Sequence, residues 1–210
     1  MVDRRIIETP RGPARLVQRR AERPWATLAL THGAGGGLEA VDLQALATRL
    51  PRVGITVALV EQPWRVAGRG VAVAPAALDE GFFTVAGQLR PRTPMVVGGR
   101  SAGARVACRT ARSLGAAGVV ALAFPLHPPG RPERSRVAEL AGARVPLLVV
   151  QGERDSFGTP QEFPPGTTLV AVQDADHSFG VPRRLGTQGA ALDAVVGAVT
   201  TWVRALLAPA

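Results

Sequence analysis

The sequence is poor in residues that form covalent or metal cross-links. Its 210 residues include one cysteine and three histidines, and they include no lysine, asparagine or tyrosine. The single cysteine, Cys108, cannot form an internal disulfide, and its apolar-patterned surroundings predict a buried, unreactive thiol. The histidines lie far apart and form no H-x-x-x-H pair, and no C-x-x-C pair exists. We therefore predict no metal site.

Long apolar runs are also absent. None approaches the roughly 18 uninterrupted apolar residues of a membrane span. Residues 1–10 are charged and lack the apolar segment of a signal peptide. We therefore expect a cytoplasmic protein without a membrane partner. Hydrophobic residues make up 46% and charged residues 20% of the chain. With no change of composition along it, this balance predicts a single folded domain over residues 1–210.

Acidic residues are too few to balance the arginines. The formal net charge is +9, and all 25 basic side chains are arginines. They are scattered, and the densest pairs are not interleaved with aromatic residues, so a solvated surface is a better interpretation than a nucleic-acid site. The abundance of Ala, Gly, Pro, Val and Arg is typical of GC-rich codon usage. We expect no nucleic-acid partner, whereas an anionic substrate is compatible with this charge.

Apolar runs alternate with helix-like stretches along most of the chain. The runs predict strands at residues 14–18, 26–31, 55–61, 95–98, 118–124, 146–151 and 168–172. Near-helical spacing of apolar residues predicts helices at 38–50, where Pro51 stops the helix, and at 76–89, 102–114, 133–140 and 190–207. This alternation predicts an α/β fold with a mostly parallel central sheet of about seven strands flanked by helices. Irregular loops at 62–75 and 125–134 follow strands, so we expect them to border a ligand crevice.

The strongest motif is GRSAG at residues 99–103, between an apolar run and a helical stretch. A G-x-S-x-G in this context places Ser101 on a sharp strand-to-helix turn, where only glycines leave enough room. The following helix N-terminus favours negative charge on a substrate oxygen. The alternative is a glycine-rich turn with a capping serine. On the motif alone, the two interpretations are nearly even.

A second glycine-rich stretch, THGAGGG at residues 31–37, also lies between an apolar run and a helix. In that position a backbone amide can point at an acyl oxygen, so we predict an oxyanion hole formed by the amides of Ala34 and Ala102. A phosphate-binding loop is the alternative. The stretch lacks the Lys-Ser/Thr ending and the acidic residue that such loops need, so we predict no cofactor.

An acidic residue and a histidine follow the last two predicted strands. The chain order Ser101, Asp155, His177 is that of a triad whose members end different strands of an α/β sheet. A serine hydroxyl is a poor nucleophile at neutral pH, so His177 would take its proton and Asp155 would orient the imidazole. Nearby carboxylates are weaker alternatives to Asp155: Glu153, and also Asp174 and Asp176, which lie too close to His177 in sequence.

Four further residues are predicted substrate contacts: His32, Gly35, Trp64 and His127. Trp64 would form an apolar wall in the loop at 62–75. The prolines of PLHPPG at 125–130 would hold His127 near the carboxyl edge of the sheet. For each histidine, hydrogen bonding within its loop is the commoner case, and Trp64 is most simply a packing residue.

With these motifs the chain resembles the α/β-hydrolase superfamily, and within it the small dienelactone-hydrolase-like and KANL3/Tex30-like hydrolases. The matching segments are THGAGG at 31–36, GGRSAGARVA at 98–107, PLHPPG at 125–130, QGERDSFG at 151–158 and ADHSF at 175–179. The resemblance implies Ser101, Asp155 and His177 as triad, with Ala34 and Ala102 as oxyanion donors. Relatives often have other residues where this chain has Ala102 and Ala104. Neither difference removes the backbone amide that would act as the oxyanion donor.

The resemblance supplies no substrate. From the triad residues we predict a carboxylesterase-like serine hydrolase that acts on a small acyl substrate through an acyl-enzyme. Residues 125–145 are too few for the helical cap of larger relatives, so we expect no cap domain. Some superfamily members have lost activity. A hydrolase-fold scaffold or binding protein is therefore the alternative function.

Overall fold

The computed structural model describes residues 2–70, 72–185 and 187–208. Eight strands form one sheet: β1 (Val2–Ile7), β2 (Ala14–Arg19), β3 (Ala26–Thr31), β4 (Ile55–Glu61), β5 (Met95–Arg100), β6 (Gly118–Leu122), β7 (Leu147–Gly152) and β8 (Leu169–Val172). Their order across the sheet is β1-β2-β4-β3-β5-β6-β7-β8. The pairs that involve β2 are antiparallel, and all other pairs are parallel. The mostly parallel α/β sheet is therefore confirmed.

Helices cover both faces of the sheet. Those among the described residues are α1 (Val41–Arg49), α2 (Pro63–Val66), α3 (Pro75–Leu89), α4 (Ala102–Thr110), α5 (Val137–Ala141) and α6 (Gln188–Leu207). Helices α1 and α6 contribute to one core, and α2 to α5 contribute to the other. Neighbouring residues of a central strand enter opposite cores, as Val96 and Val97 of β5 do. A strand that is buried on both faces must be apolar throughout, which explains the continuous apolar runs.

The first strand, β1, escaped prediction, so the sheet has one more strand than expected. Strand β1 lies at the edge and pairs only with β2 among the described residues. Its apolar side chains Val2 and Ile6 are 43% and 55% exposed, and charged residues stand between them. An edge strand with little burial has no clear apolar pattern.

Two proline-containing segments add short helical turns to the predicted pattern. Helix α1 ends at Arg49, just before Pro51 as predicted, and a 3₁₀ turn at Leu50–Val53 follows with Pro51 in its first positions. Pro63 opens α2, so the loop predicted at 62–75 is partly helical. A proline at the start of a helix costs nothing, since its missing N–H would be unpaired there. Val71, within that loop, lies outside the described residues.

The carboxyl edge of the sheet carries no cap. Between β6 and β7, residues 125–145 contain only the five-residue helix α5 as regular structure. The expected absence of a cap domain is confirmed. The loops at this edge are consequently open to solvent on their outer side.

By length and composition alone, helix α6 could cross a membrane. No other helix among the described residues meets both criteria. In the fold, Ala191, Val195, Val199 and Val203 form a buried stripe along α6 that packs on the sheet. The spacing of four residues places them on one helix face. Packing against the sheet accounts for the apolar character of that face.

Cys108 is buried in α4, with 1% of its surface exposed. Burial is the main cause that raises the pKa of its thiol to about 12. A thiol with that pKa forms almost no thiolate at neutral pH. The predicted buried thiol is confirmed.

The packing of α1 on the sheet predicts the effect of truncating its side chains. Leu46 is wholly buried, whereas Val41 on the same helix is 47% exposed. We expect Leu46→Ala to lower the free energy of unfolding by about 2–5 kcal/mol, because it leaves a cavity. Val41→Ala should change it by less than about 0.5 kcal/mol. Urea denaturation of both variants measures the difference, and equal losses would contradict this packing.

Candidate active site

Ser101 stands at the junction of β5 and α4 in a backbone conformation that side chains rarely adopt. Its φ is 54° and its ψ is −115°. Its amide donates a hydrogen bond to the carbonyl of Leu122 on β6, at 2.9 Å. Strain of this kind persists only where the surrounding structure enforces it.

The glycines of the motif allow the backbones around Ser101 to approach closely. A Cβ on Gly99 would lie 2.5 Å from the carbonyl carbon of Gly103, and a Cβ on Gly103 would lie 2.4 Å from the carbonyl oxygen of Thr31. Neither position has room for a side chain. The turn therefore depends on glycine at both positions, as the sequence predicts.

The structure brings Ser101, His177 and Asp155 together in one chain of hydrogen bonds. His177 Nε2 lies 2.9 Å from Ser101 Oγ, and His177 Nδ1 lies 2.8 Å from Asp155 Oδ2. Asp155 follows β7 and is wholly buried, whereas the His177 side chain, beyond β8, is 19% exposed. Carboxylate, imidazole and hydroxyl thus run from the interior to the surface.

Two residues that sequence reasoning missed support this chain. The side-chain amide of Gln151, on β7, lies 2.8 Å from Asp155 Oδ2 and 2.8 Å from the carbonyl of Gly158. The backbone amide of Phe157 donates to Asp155 Oδ1 at 2.8 Å, and its ring centroid lies 4.2 Å from that of His177. The available signal for Gln151 was a polar residue near the end of an otherwise apolar, buried strand.

The other carboxylates considered near His177 have different partners. Glu153 accepts a hydrogen bond from the Asp174 amide at 3.1 Å. Asp176 Oδ1 accepts from the amides of Ser178 and Gly180, at 2.7 and 2.8 Å. These contacts shape the turn that carries His177. Asp155 is the carboxylate that bonds to the imidazole.

His32 is buried in the loop after β3, and both of its ring nitrogens face backbone groups. Nδ1 lies 2.8 Å from the carbonyl of Gly33, and Nε2 accepts from the amide of Gln62 at 3.0 Å. These partners assign the proton to Nδ1. Burial lowers the pKa of His32, so the neutral ring is favoured. Its contacts order the loop, which is the commoner role that the sequence also allowed.

The loop at 31–37 lies against the nucleophile turn. A Cβ on Gly33 would be 3.2 Å from the Cβ of Ser101. The amides of Ala34 and Ala102 donate to no acceptor within the described part of the chain. Both residues line a narrow recess, together with His32, Gly33, Gln62, Trp64, Ala72, Leu78, Gly103 and Val106. Two free amides therefore stand at an apolar recess.

The predicted substrate contacts fall into different surroundings. Trp64 is buried, with 4% exposure, and forms part of the recess wall. Gly35 is exposed in the loop and is not part of that wall. His127 bonds to the carbonyl of Pro128 at 2.9 Å and to Glu162 Oε2 at 2.8 Å, and it does not line the recess. The bond to Pro128, then that to Glu162, raises the pKa of His127.

Within residues 2–70, 72–185 and 187–208, no three His, Cys, Asp or Glu side chains cluster closely enough to hold a metal ion. The groups gathered at Ser101 are a hydroxyl, an imidazole, a carboxylate and backbone amides. This set suits proton transfer and attack on a carbonyl carbon.

Gly103 of α4 and Gly197 of α6 have different surroundings, so replacing each by alanine should change the free energy of unfolding in opposite directions. Gly103 packs against backbone carbonyls, whereas Gly197 of α6 has open space around it. We expect Gly103→Ala to lower the free energy of unfolding by about 1–3 kcal/mol or more through overpacking. Gly197→Ala should raise it by up to about 1 kcal/mol, because alanine favours helix. Chemical denaturation tests the pair, and a stabilised Gly103→Ala variant would contradict the close contact.

Comparison with known proteins agrees with this architecture. Residues 24–204 match the family described as "Alpha/beta hydrolase domain". Similar solved structures include a serine hydrolase without lid from Xanthomonas campestris, with 22% identity, coverage of 96% of this chain and 94% of that chain, and a TM-score of 0.74. A dienelactone hydrolase from Anabaena variabilis has 16% identity, coverage of 98% and 97%, and a TM-score of 0.73.

Est1E from Butyrivibrio proteoclasticus has 13% identity, covers 95% of this chain and 98% of its own, and gives a TM-score of 0.70. At such identities the likeness establishes the fold. The curated proteins contain no match to the sequence. The family match spans most of the chain, and the chain therefore belongs to the alpha/beta hydrolase domain family.

Proposed function

We propose that this protein is a serine hydrolase that cleaves a small carboxylic ester through an acyl-enzyme. The observation that carries the proposal is the hydrogen-bonded chain from Ser101 Oγ through His177 to Asp155, with distances of 2.9 and 2.8 Å. In this assignment Ser101 is the nucleophile, His177 is the general base and Asp155 orients the imidazole.

The first half of the reaction forms the acyl-enzyme. Ser101 Oγ attacks the ester carbonyl carbon while its proton moves to His177 Nε2. Asp155 accepts the Nδ1 hydrogen bond and stabilises the resulting imidazolium. The carbonyl π electrons move to the oxygen and form an oxyanion. When the tetrahedral intermediate collapses, the C–O bond breaks, and the alcohol leaves with the proton from His177.

The second half returns the enzyme to its starting state. Water attacks the acyl carbon and gives its proton to His177 Nε2. Collapse of this second intermediate breaks the bond to Ser101 Oγ, which takes the proton back from His177. The products are the acid and the free serine, so atoms and charges balance over the cycle.

The amides of Ala34 and Ala102 are the proposed donors to the oxyanion in both halves. Each is free of an acceptor among the described residues. Ala102 opens α4, where the helix dipole also favours negative charge. A fixed pair of donors stabilises charge that develops in the transition state without reorganising during the reaction.

The recess beside these donors is the proposed site of the acyl group. Its larger apolar lining residues are Trp64, Leu78 and Val106. The recess is too narrow to admit a water molecule, so its walls must move to accept an acyl group. An acetyl group needs the smallest displacement of these walls, and each added methylene needs more. We therefore propose a short acyl chain, with the alcohol on the uncapped side.

Replacing the proposed nucleophile tests the function directly. We expect Ser101→Ala to lower kcat for p-nitrophenyl acetate by at least about 10³-fold, because the acyl-enzyme cannot form. A fluorophosphonate probe should label the wild type and fail to label this variant. Ser135→Ala, which alters an exposed loop serine, should leave both readouts unchanged. A folded wild type without labelling would favour the scaffold function instead.

The acyl-recess assignment predicts a change in chain-length selectivity. We expect the wild type to prefer acetate over hexanoate p-nitrophenyl esters, and Leu78→Ala to shift the kcat/KM ratio towards hexanoate by roughly 10-fold, since pocket selectivity is roughly 10–200-fold per methylene. Leu140→Ala truncates a buried leucine of α5 that does not line the recess. An equal shift in that control would place the acyl site elsewhere.

A further inference from the structure

Arg100 connects the nucleophile turn to the loop that carries His177. It is the residue before Ser101, and its side chain is 12% exposed. Its Nη2 lies 2.9 Å from the carbonyl oxygen of His177 and 2.9 Å from Ser178 Oγ. One guanidinium thus joins the backbone beside the proposed nucleophile to the backbone of the proposed base.

Asp42, in the first turn of α1, lies behind Arg100 and is wholly buried. Its Oδ2 is 3.5 Å from Arg100 Nε, and neither carboxylate oxygen makes a hydrogen bond within the described residues. Burial raises the pKa of Asp42. The positive charge of Arg100 is the largest effect that opposes this rise, and the backbone amides at the start of α1 are the next largest. Arg100 is the principal counter-charge of this carboxylate.

Other contacts anchor the two ends of the His177 loop: the amide of Arg154 donates to the carbonyl of Ala175 at 2.9 Å, and the side chain of Gln188 donates to the carbonyl of Phe179 at 2.7 Å. Asp176 bonds to the amides of Ser178 and Gly180 within the same loop. The backbone at Asp174 and at Phe179 has a positive φ of 54°, so the turn is tight. The contact of Arg100 with the His177 carbonyl ties this turn to the end of β5, which also carries Ser101.

We propose that Arg100, oriented by Asp42, is a positioning residue that holds His177 Nε2 at hydrogen-bond distance from Ser101 Oγ. The inference rests on the proposed function, in which this distance governs proton transfer. Arg100 touches neither reacting atom in this scheme. Its effect should therefore appear in the rate of the chemical step and not in substrate affinity.

The test uses a variant that removes both charges. Arg100→Met alone would leave the Asp42 carboxylate buried without its counter-charge, which is a folding risk. The double variant Asp42→Asn/Arg100→Met avoids that risk while it removes the contact with His177. We expect kcat for p-nitrophenyl acetate to fall by about 10–100-fold, since a displacement of 1 Å can cost about 10²-fold in rate. KM should change by less than about threefold, because the proposed recess is intact.

Arg100→Lys tests whether another cationic side chain restores part of the rate. A lysine ammonium can donate to the His177 carbonyl and remain opposite Asp42, but it lacks the planar fork of arginine. We expect its kcat to lie between those of the wild type and the double variant. Arg49→Met is the matched control, because Arg49, at the end of α1, pairs with Asp193 of α6 and bonds to none of Ser101, Asp155 and His177. This control should retain the kcat of the wild type.

The rate of fluorophosphonate labelling at Ser101 gives a second readout. The double variant should label more slowly by a similar factor, with a cooperative unfolding transition that shows it is folded. Wild-type kcat and labelling rate in the folded double variant would overturn the role of Arg100, and so would a loss confined to KM. Absence of labelling in the wild type would instead overturn the proposed function, so the two failures are distinguishable.

Discussion

The site depends on the close contact between the start of α4 and the end of β3. A Cβ at Gly103 would meet the carbonyl oxygens of Thr31 and His32 at 2.4 and 2.7 Å, so only glycine permits this spacing. The contact presses the helix against the glycine-rich loop and leaves Ser101 in its strained turn. Because the same contact sets the loop beside the turn, it also fixes where the amides of Ala34 and Ala102 lie. One steric constraint thus locates the hydroxyl and both proposed oxyanion donors.

The parts of the site that sequence predicts are those set by strand topology. Parallel strands end at one edge, so residues that follow β5, β7 and β8 must converge, and the chain order of Ser101, Asp155 and His177 is enough to anticipate that meeting. The strands at 26–31 and 55–61 match β3 and β4 because burial on both faces gives continuous apolar runs. Edge strand β1 has no such burial, and its pattern is correspondingly absent.

The residues that sequence reasoning missed are polar side chains whose partners are distant along the chain. In the sequence, Arg100 occupies a variable position of the G-x-S-x-G motif, and Asp42 is a polar residue near the start of a predicted helix. In the fold, the Arg100 guanidinium lies 3.5 Å from the Asp42 carboxylate. Gln151 likewise meets Asp155 through a turn whose shape the sequence does not specify. Such contacts follow from side-chain directions within tertiary structure, which neither periodicity nor motif spacing encodes.

Two wholly buried carboxylates, Asp155 and Asp42, lie near the His177 loop. The fold compensates their negative charges in different ways. Asp155 is bonded by Gln151, by the Phe157 amide and by His177, so its charge is satisfied from several directions. Asp42 has the Nε of Arg100 at 3.5 Å and no hydrogen bond among the described residues. Movement of Arg100 towards solvent would leave that charge uncompensated, at a cost that rises with burial. Arg100 faces both the Asp42 carboxylate and the carbonyl of His177, so the compensation of Asp42 is coupled to the position of the His177 backbone.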